Sequence, residues 1–257
     1  MLSLHTLLSN LHRKLIIDIG NTLQKLAVFD GKTMLFKETF DKLKPDSLTG
    51  FIAQHGPFDG IIQSSVIIHT RQLEEILAAA GRFILLTDQT PLPFRNLYRT
   101  PKTLGKDRIA AVAGARNLFP GRNCLVIDAG TCITYDLITA EGTYLGGAIS
   151  PGIRMRFKAL HTFTGKLPLI EQEEFDDLIG QTTQESILSG VYNGITGEIT
   201  HLAGRYHEKS GDLAVVITGG DHHFLHNKLK ISIFAAPDLV LLGLNEILDY
   251  NDHSIKG

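Results

Sequence analysis

An apolar run closed by Asp-x-Gly occurs twice in the chain, as LIIDIGNT from Leu15 to Thr22 and as LVIDAGTC from Leu125 to Cys132. Superposing the copies pairs Ile17 with Ile127, Asp18 with Asp128 and Gly20 with Gly130. Each copy continues into a second strand-like stretch that stops near a glycine, Gly31 or Gly142. A continuous apolar run bounded by turn residues predicts a buried strand, so each copy predicts a strand-turn-strand hairpin. One such hairpin constrains little. Two of them, each opening half of the chain, predict a duplicated core.

The intervening sequence alternates in type. FDGIIQSSVI predicts a buried strand, RQLEEILAAAG a helix stopped by glycine, and RFILLT a strand, the order expected of an α/β domain. Pro91, Pro93 and Pro101 mark a loop, after which GKDRIAAVAGARNLF predicts a helix beginning near Asp107. A boundary is expected near Pro120–Asn123. Beyond it come CLVIDAGTCITYDLIT as strand-turn-strand, GTYLGGAISPGIRMRFKALHTFT as strand, Gly/Pro turn and helix, and TTQESILSGVYNGITGEITHLAGRYHEK as a long helix. DLAVVITGGD then reads as a strand and PDLVLLGLNEIL as a closing helix. The organisation read from this order is an extension over residues 1–13, a first domain over 14–118 and a second over 119–257.

Composition narrows the function classes. The chain has 257 residues and a formal net charge of -2, with no block of like charges, so the electrostatic footprint of a nucleic-acid or membrane-surface binder is missing. No apolar run reaches the roughly 18 residues of a spanning helix, and the first thirteen residues lack the basic start and long apolar centre of a signal peptide. Cys124 and Cys132 read as small buried side chains in a reducing compartment. Cytoplasmic location is the expectation.

The chemistry of the hairpins is more specific. Glycine after a strand lets successive backbone N–H groups approach an anion, and a following Thr or Asn adds a hydrogen bond. A carboxylate beside phosphates can hold a hydrated Mg²⁺. Asp18, Gly20, Asn21, Thr22 and Lys25 have this arrangement in the first half, and Asp128, Gly130, Thr131 and Thr134 in the second. Two such hairpins suit a polyphosphate gripped from both sides. The strand ending in Gly219 and Gly220 offers a flat surface for an adenine or ribose. Neither a P-loop nor a dinucleotide-binding glycine pattern is present. Phosphoryl transfer to an alcohol also needs a carboxylate near the acceptor hydroxyl, and Asp107, at a helix start and followed by Arg108, is the candidate. His222, His223 and His226 lie close in sequence, but no further ligand at suitable spacing completes a metal site there.

These residues resemble the type III pantothenate kinase family, within the broader group of acetate and sugar kinases, Hsp70 and actin. The motifs that carry the resemblance are DIGNTLQK, GKDR, DAGTCIT, GGAISPG and GQTTQESILSG, in that order between Ile16 and about Leu248. The resemblance implies two duplicated ribonuclease-H-like (actin-like ATPase) α/β domains with a nucleotide cleft between them. It implies ATP binding by Asp18, Ile19, Gly20, Asn21, Thr22, Leu23, Gln24 and Lys25, joined by Thr131. It implies a pantothenate pocket of Tyr98, Gly105, Lys106, Asp107, Arg108 and Thr183, with Asp107 as proton acceptor. Mg²⁺ would accompany ATP on the side of Asp18, through water, and Asp128 would bind a monovalent cation, K⁺ or NH₄⁺. Family members are homodimers, which implies that Thr183 serves the partner's pocket. The activity implied is ATP-dependent phosphorylation of pantothenate, the first step toward coenzyme A. The alternatives are a sugar or acetate kinase on the same fold and a non-catalytic nucleotide-dependent regulator.

Overall fold

The computed structural model describes residues 12–66 and 71–253. Most of the expected N-terminal extension, residues 1–11, lies outside them. The chain divides into two compact units, one formed by the chain up to Asn117 together with Leu239 onward, the other by Leu118–Asp238.

The first unit is built on β1 (Arg13–Ile19), β2 (Gln24–Asp30), β3 (Thr33–Phe40), β4 (Gly60–Ser65) and β5 (Phe83–Leu85), in the sheet order β3-β2-β1-β4-β5. β1, β2 and β3 form an antiparallel meander, whereas β4 and β5 add in parallel on the other side of β1. Helices α1 (Pro45–His55) and α2 (Arg71–Ala80) supply the crossovers that parallel strands require. A two-residue β6 (Arg95–Asn96) and a single 3₁₀ turn (Pro101–Thr103) then lead into α3 (Lys106–Leu118). The apolar run of β1 is buried throughout, and Leu15, Ile17 and Ile19 pack with Leu26, Val28, Leu48, Phe51 and Leu77 in one core.

The second unit repeats the plan. Its strands β7 (Asn123–Ala129), β8 (Cys132–Ile138), β9 (Thr143–Pro151), β10 (Leu213–Thr218) and β11 (Phe234–Ala235) run in the order β11-β10-β7-β8-β9. β7, β8 and β9 are antiparallel, and β10 and β11 are parallel additions beside β7. Helices α4 (Ile153–Thr162), α5 (Thr183–Ser210) and α6 (His222–Lys228) complete it. The same strand order and the same parallel and antiparallel pairings in both units are the structural form of the repeated Asp-x-Gly sequence.

The linear reading places the closing helix in the second half, but α7 (Leu239–His253) folds with the first unit. Two glycines explain why. A Cβ at Gly114 of α3 would stand 2.4 Å from the carbonyl oxygen of Leu239, and one at Gly243 would stand 1.7 Å from that of Ala110. Only bare backbone lets α3 and α7 approach so closely. Around that contact the buried Lys14 of β1 pairs with Asp249 at 2.6 Å, and Asn245 donates to the carbonyl of Gly31 at 3.0 Å. The helix therefore closes the face of the β1–β4 sheet rather than extending the second unit.

Candidate active site

In the first unit, the hairpin turn between β1 and β2 spans Gly20 to Leu23 and closes with the Gly20 amide donating to the Leu23 carbonyl at 3.1 Å. A Cβ at Gly20 would stand 2.8 Å from that same oxygen, so the turn needs glycine there. Asn21, Thr22 and Leu23 are exposed at its tip. Asp18 is buried at the end of β1, paired in register with Lys25 across the hairpin and with Ser64 of the parallel β4. The Ser64 hydroxyl donates to Asp18 Oδ1 at 3.3 Å. The side chain of Ile19 is in the core, and the Gln24 side-chain carbonyl accepts from the Leu43 amide at 2.6 Å. Both residues thus help to hold the shape of the turn.

Gly105 to Arg108 lies where the 3₁₀ turn gives way to α3. The Ile109 amide donates to the Gly105 carbonyl, so the helix begins just after the glycine and Asp107 sits in its first turn. Its carboxylate folds back onto the helix start, accepting from the Arg108 amide at 2.8 Å. A Cβ at Gly105 would be 2.4 Å from Asp107 Oδ1, so this carboxylate position exists only over a glycine. The Arg108 side chain is buried and its guanidinium lies 5.6 Å from the centroid of the Tyr98 ring, a cation–π contact that ties the loop after β6 to the start of α3. Tyr98 is itself fixed by its amide donating to Asn96 Oδ1 at 2.9 Å.

Electrostatics tie the hairpin to the start of α3. Burial pushes the Asp18 carboxyl up from an ordinary 3.8 to about 6; the Lys25 charge opposes the rise, the negative charge of Asp107 adds to it, and the Ser64 hydrogen bond opposes it. A buried carboxylate with a second negative charge in reach suits a divalent cation. Among the described residues no group of three or more His, Cys, Asp or Glu side chains could hold a metal outright. That donor set fits a hydrated Mg²⁺ shared with phosphate oxygens better than an all-protein cage.

The second unit presents a different constellation on the same frame. The turn between β7 and β8 is one residue shorter, Gly130 to Cys132, closed by the Gly130 amide donating to the Cys132 carbonyl at 3.0 Å. Asp128 pairs in register with Thr134 across the hairpin and with Thr218 of β10. Thr134 Oγ1 is buried and has no hydrogen-bond partner. Gly219, with φ +90°, lies so close that its Cβ would be 2.4 Å from Asp128 Oδ1 and 2.4 Å from the Ala129 carbonyl. Gly219, the first glycine after β10, is therefore a close-packed neighbour of the hairpin. His222 spends a ring nitrogen on the Gly219 carbonyl at 2.7 Å. Cys124 is buried as expected, while Cys132 is only half-buried, 3.7 Å from the Met155 sulfur.

The GGAISPG motif supports this hairpin. Gly147 presses against the Tyr135 carbonyl of β8, and Gly152 donates to the Thr131 carbonyl at 3.2 Å where a Cβ would strike the backbone of Gly130 and Thr131. Arg156, in the second turn of α4, donates to Glu198 at 2.6 Å, to Ser150 Oγ at 2.7 Å and to the Pro151 carbonyl at 2.9 Å; Glu198 also accepts from Tyr135 Oη at 2.8 Å. Burial alone would raise the Glu198 carboxyl, but these donors hold it below its ordinary value. Nothing in the sequence pattern singles out this network, because its members are scattered over β8, β9, α4 and α5. Thr183 is exposed at the first turn of α5, whose start is set by a capping box between Thr182 and Glu185. It lines a cleft of about 690 Å³ with Arg156, Leu160, Leu167, Ile187 and Val191.

Residues 14–205 match the family model for type III pantothenate kinase. The chain belongs to that family. Among its relatives, the type III pantothenate kinase of Christiangramia forsetii is 49% identical over 240 residues, covering 92% of this chain and 98% of that one. That of Phocaeicola vulgatus is 46% identical over 242 residues, covering 93% and 98%. Of solved structures, a conserved Baf-family chain from Campylobacter jejuni aligns with a TM-score of 0.61 at 26% identity, over 93% of this chain and 99% of that one. A glucokinase from an Antarctic psychrotroph aligns with a TM-score of 0.52 at 13% identity over the same shares, a likeness of fold. The family thus shares the duplicated α/β plan of sugar kinases, and the two-sheet architecture agrees with the actin-like ATPase class read from the motifs.

Proposed function

We propose that this chain transfers the γ-phosphoryl group of ATP to the primary hydroxyl of pantothenate, giving 4'-phosphopantothenate and ADP, the first step of coenzyme A biosynthesis. The observation that carries the reading is the Asp107 carboxylate, held over Gly105 at the start of α3, beside the Arg108–Tyr98 pair and within the electrostatic reach of Asp18. A regulator without catalysis has no use for such a carboxylate.

In this reading the turn from Asp18 to Lys25 and Thr131 bind ATP, with Lys25 meeting a terminal phosphate. Tyr98, Gly105, Lys106, Asp107, Arg108 and Thr183 bind pantothenate. Asp107 orients the acceptor hydroxyl and takes its proton as the oxygen attacks phosphorus in line. Mg²⁺, when bound with ATP, neutralises charge on the phosphates, and Asp18 holds it through water. Asp128 binds K⁺ or NH₄⁺; the buried, unpartnered Thr134 Oγ1 across the hairpin is an oxygen donor of the kind such an ion takes.

The protein acts in the cytoplasm as a homodimer in which Thr183 lines the partner's pantothenate pocket. Phe163, Leu178 and Ile179, 86%, 75% and 77% exposed in the stretch between α4 and α5, are the apolar surface a second copy would cover. Sedimentation at micromolar concentration is expected to give a dimer; a monomer would remove this element.

The decisive assay is coupled ADP formation with ATP, Mg²⁺ and K⁺, with and without pantothenate. Pantothenate-dependent ADP release is expected, and replacing K⁺ by Na⁺ is expected to slow it. Nucleotide binding with no pantothenate-dependent turnover would overturn the reading in favour of a regulator, and turnover with a sugar or acetate alone in favour of another kinase.

A further inference from the structure

β4 ends in Gln63-Ser64-Ser65, polar residues closing an apolar strand, and the proposed activity assigns none of them a task. Ser64 is wholly buried, and the parallel register of β1 and β4 sets it beside Asp18. The end of β4 is held from both neighbouring strands, by the Val66 amide donating to the Ile19 carbonyl of β1 at 3.1 Å and by the amide of Leu86, just beyond β5, donating to the Gln63 carbonyl at 2.9 Å. The hydroxyl therefore has little freedom to leave the carboxylate. A buried strand position is readily filled with Ala or Val, whereas a hydroxyl there must be hydrogen-bonded, and the bond it makes is to the carboxylate at the end of β1.

We propose that Ser64 is a positioning residue for nucleotide-bound metal: by donating to Oδ1 of Asp18 from a rigid strand, it fixes the rotation of that carboxylate toward the hydrated Mg²⁺ of Mg²⁺·ATP. The second unit supports a positional origin, since Thr218 occupies the same register beside Asp128 and is also buried. A hydroxyl next to the strand-end aspartate is thus a feature of both units. Ser64 also offsets part of the penalty that burial imposes on a charged Asp18.

The inference rests on Asp18 serving the Mg²⁺ side of the nucleotide, and the test separates the two. Calorimetry with the non-hydrolysable analogue AMP-PNP, in Mg²⁺ and in EDTA, gives the ratio of the two dissociation constants without any turnover. Ser64→Ala is expected to reduce the Mg²⁺-dependent gain in affinity by about five- to tenfold while leaving metal-free binding unchanged, the size of one ordinary hydrogen bond. In an Asp18→Asn background, which is expected to lose most of the gain, Ser64→Ala should have no further effect, an outcome that general loosening of the strand would not produce. If Asp18→Asn collapses the ratio but Ser64→Ala stays within about twofold of wild type, the inference is overturned and the Asp18 reading stands. If Asp18→Asn leaves the ratio intact, both fall. Should Ser64→Ala melt far below wild type, Ser64→Cys, of similar size with a weaker donor, takes its place under the same criterion.

Discussion

The two hairpins share a backbone plan and differ in what surrounds the aspartate. In the first, Asp18 faces Lys25 across the strands, has Ser64 beside it and lies within the field of Asp107. In the second, Asp128 faces the neutral Thr134 and has Gly219 packed against its carboxylate, the turn being one residue shorter. On the proposed reading, the lysine opposite the carboxylate suits one hairpin to phosphate together with a metal. The buried, unpartnered hydroxyl opposite serves, on the same reading, a small cation in the other. The frame is common to both units, and the cross-strand neighbour of the aspartate is what differs.

The largest effect that would sharpen this contrast comes from outside both hairpins. Asp107→Asn is expected to lower kcat by about 10²–10⁴ in the ADP assay, and near-wild-type turnover would remove Asp107 as the base. Gly105→Ala comes next. Its Cβ would displace the Asp107 carboxylate, and misplacing a reacting group by about 1 Å costs roughly 10² in rate. The backbone at Gly105 has no positive φ to strain, so the melting temperature is expected to stay within a few degrees. A parallel loss of stability would show the glycine to be structural only.

Gly219→Ala makes the opposite prediction. With φ +90° and a carbonyl oxygen at 2.4 Å from the added carbon, it should destabilise the protein by about 2–4 kcal/mol, read by denaturant unfolding. An unchanged midpoint would mean that the second hairpin is not packed as described.

The smallest effect is a gain. Asp18→Asn removes a carboxylate whose folded-state pKa is raised, by burial first, to about 6. Such a group contributes its full stability while protonated, below an ordinary 3.8, and loses it as pH rises through 6. The variant should therefore match wild type below about pH 4, pull ahead between pH 4 and 6, and stay ahead by about 1–3 kcal/mol above that, while its Mg²⁺-supported nucleotide binding is lost. Equal stability at pH 5 and pH 8 would contradict the burial of a charged Asp18.

Much of the frame was legible because apolar runs announce buried strands. β1, β4, β7 and β10 follow from LIID, GIIQ, LVID and AVVIT, and the helices α3, α5 and α7 from their residue periodicity. The edge strand β3 was missed because TMLFKETF is largely exposed and carries no core-facing alternation. Helix α1, opened by Pro45, was missed for want of a long apolar stripe, since only Leu48 and Phe51 are buried. The assignment of α7 failed for a different reason: its partner is set by Gly114 and Gly243, and close approach of two glycines distant in sequence leaves no local mark. At the site, glycine, aspartate and arginine stand out in a motif. Ser64, Glu198 and the coupling of Asp18 to Asp107 depend on strand register and packing, which no single segment contains.

The return of α7 to the first unit has a consequence for the order of events at the ribosome. The second unit is, in effect, a complete insertion within the first, so its five strands emerge contiguously and can pair as soon as they are made. The first unit waits. Its sheet is synthesised early, but the helix that covers β1 and receives Lys14 follows the second unit, leaving the face with the Asp18 hairpin without that cover until the second unit has been translated.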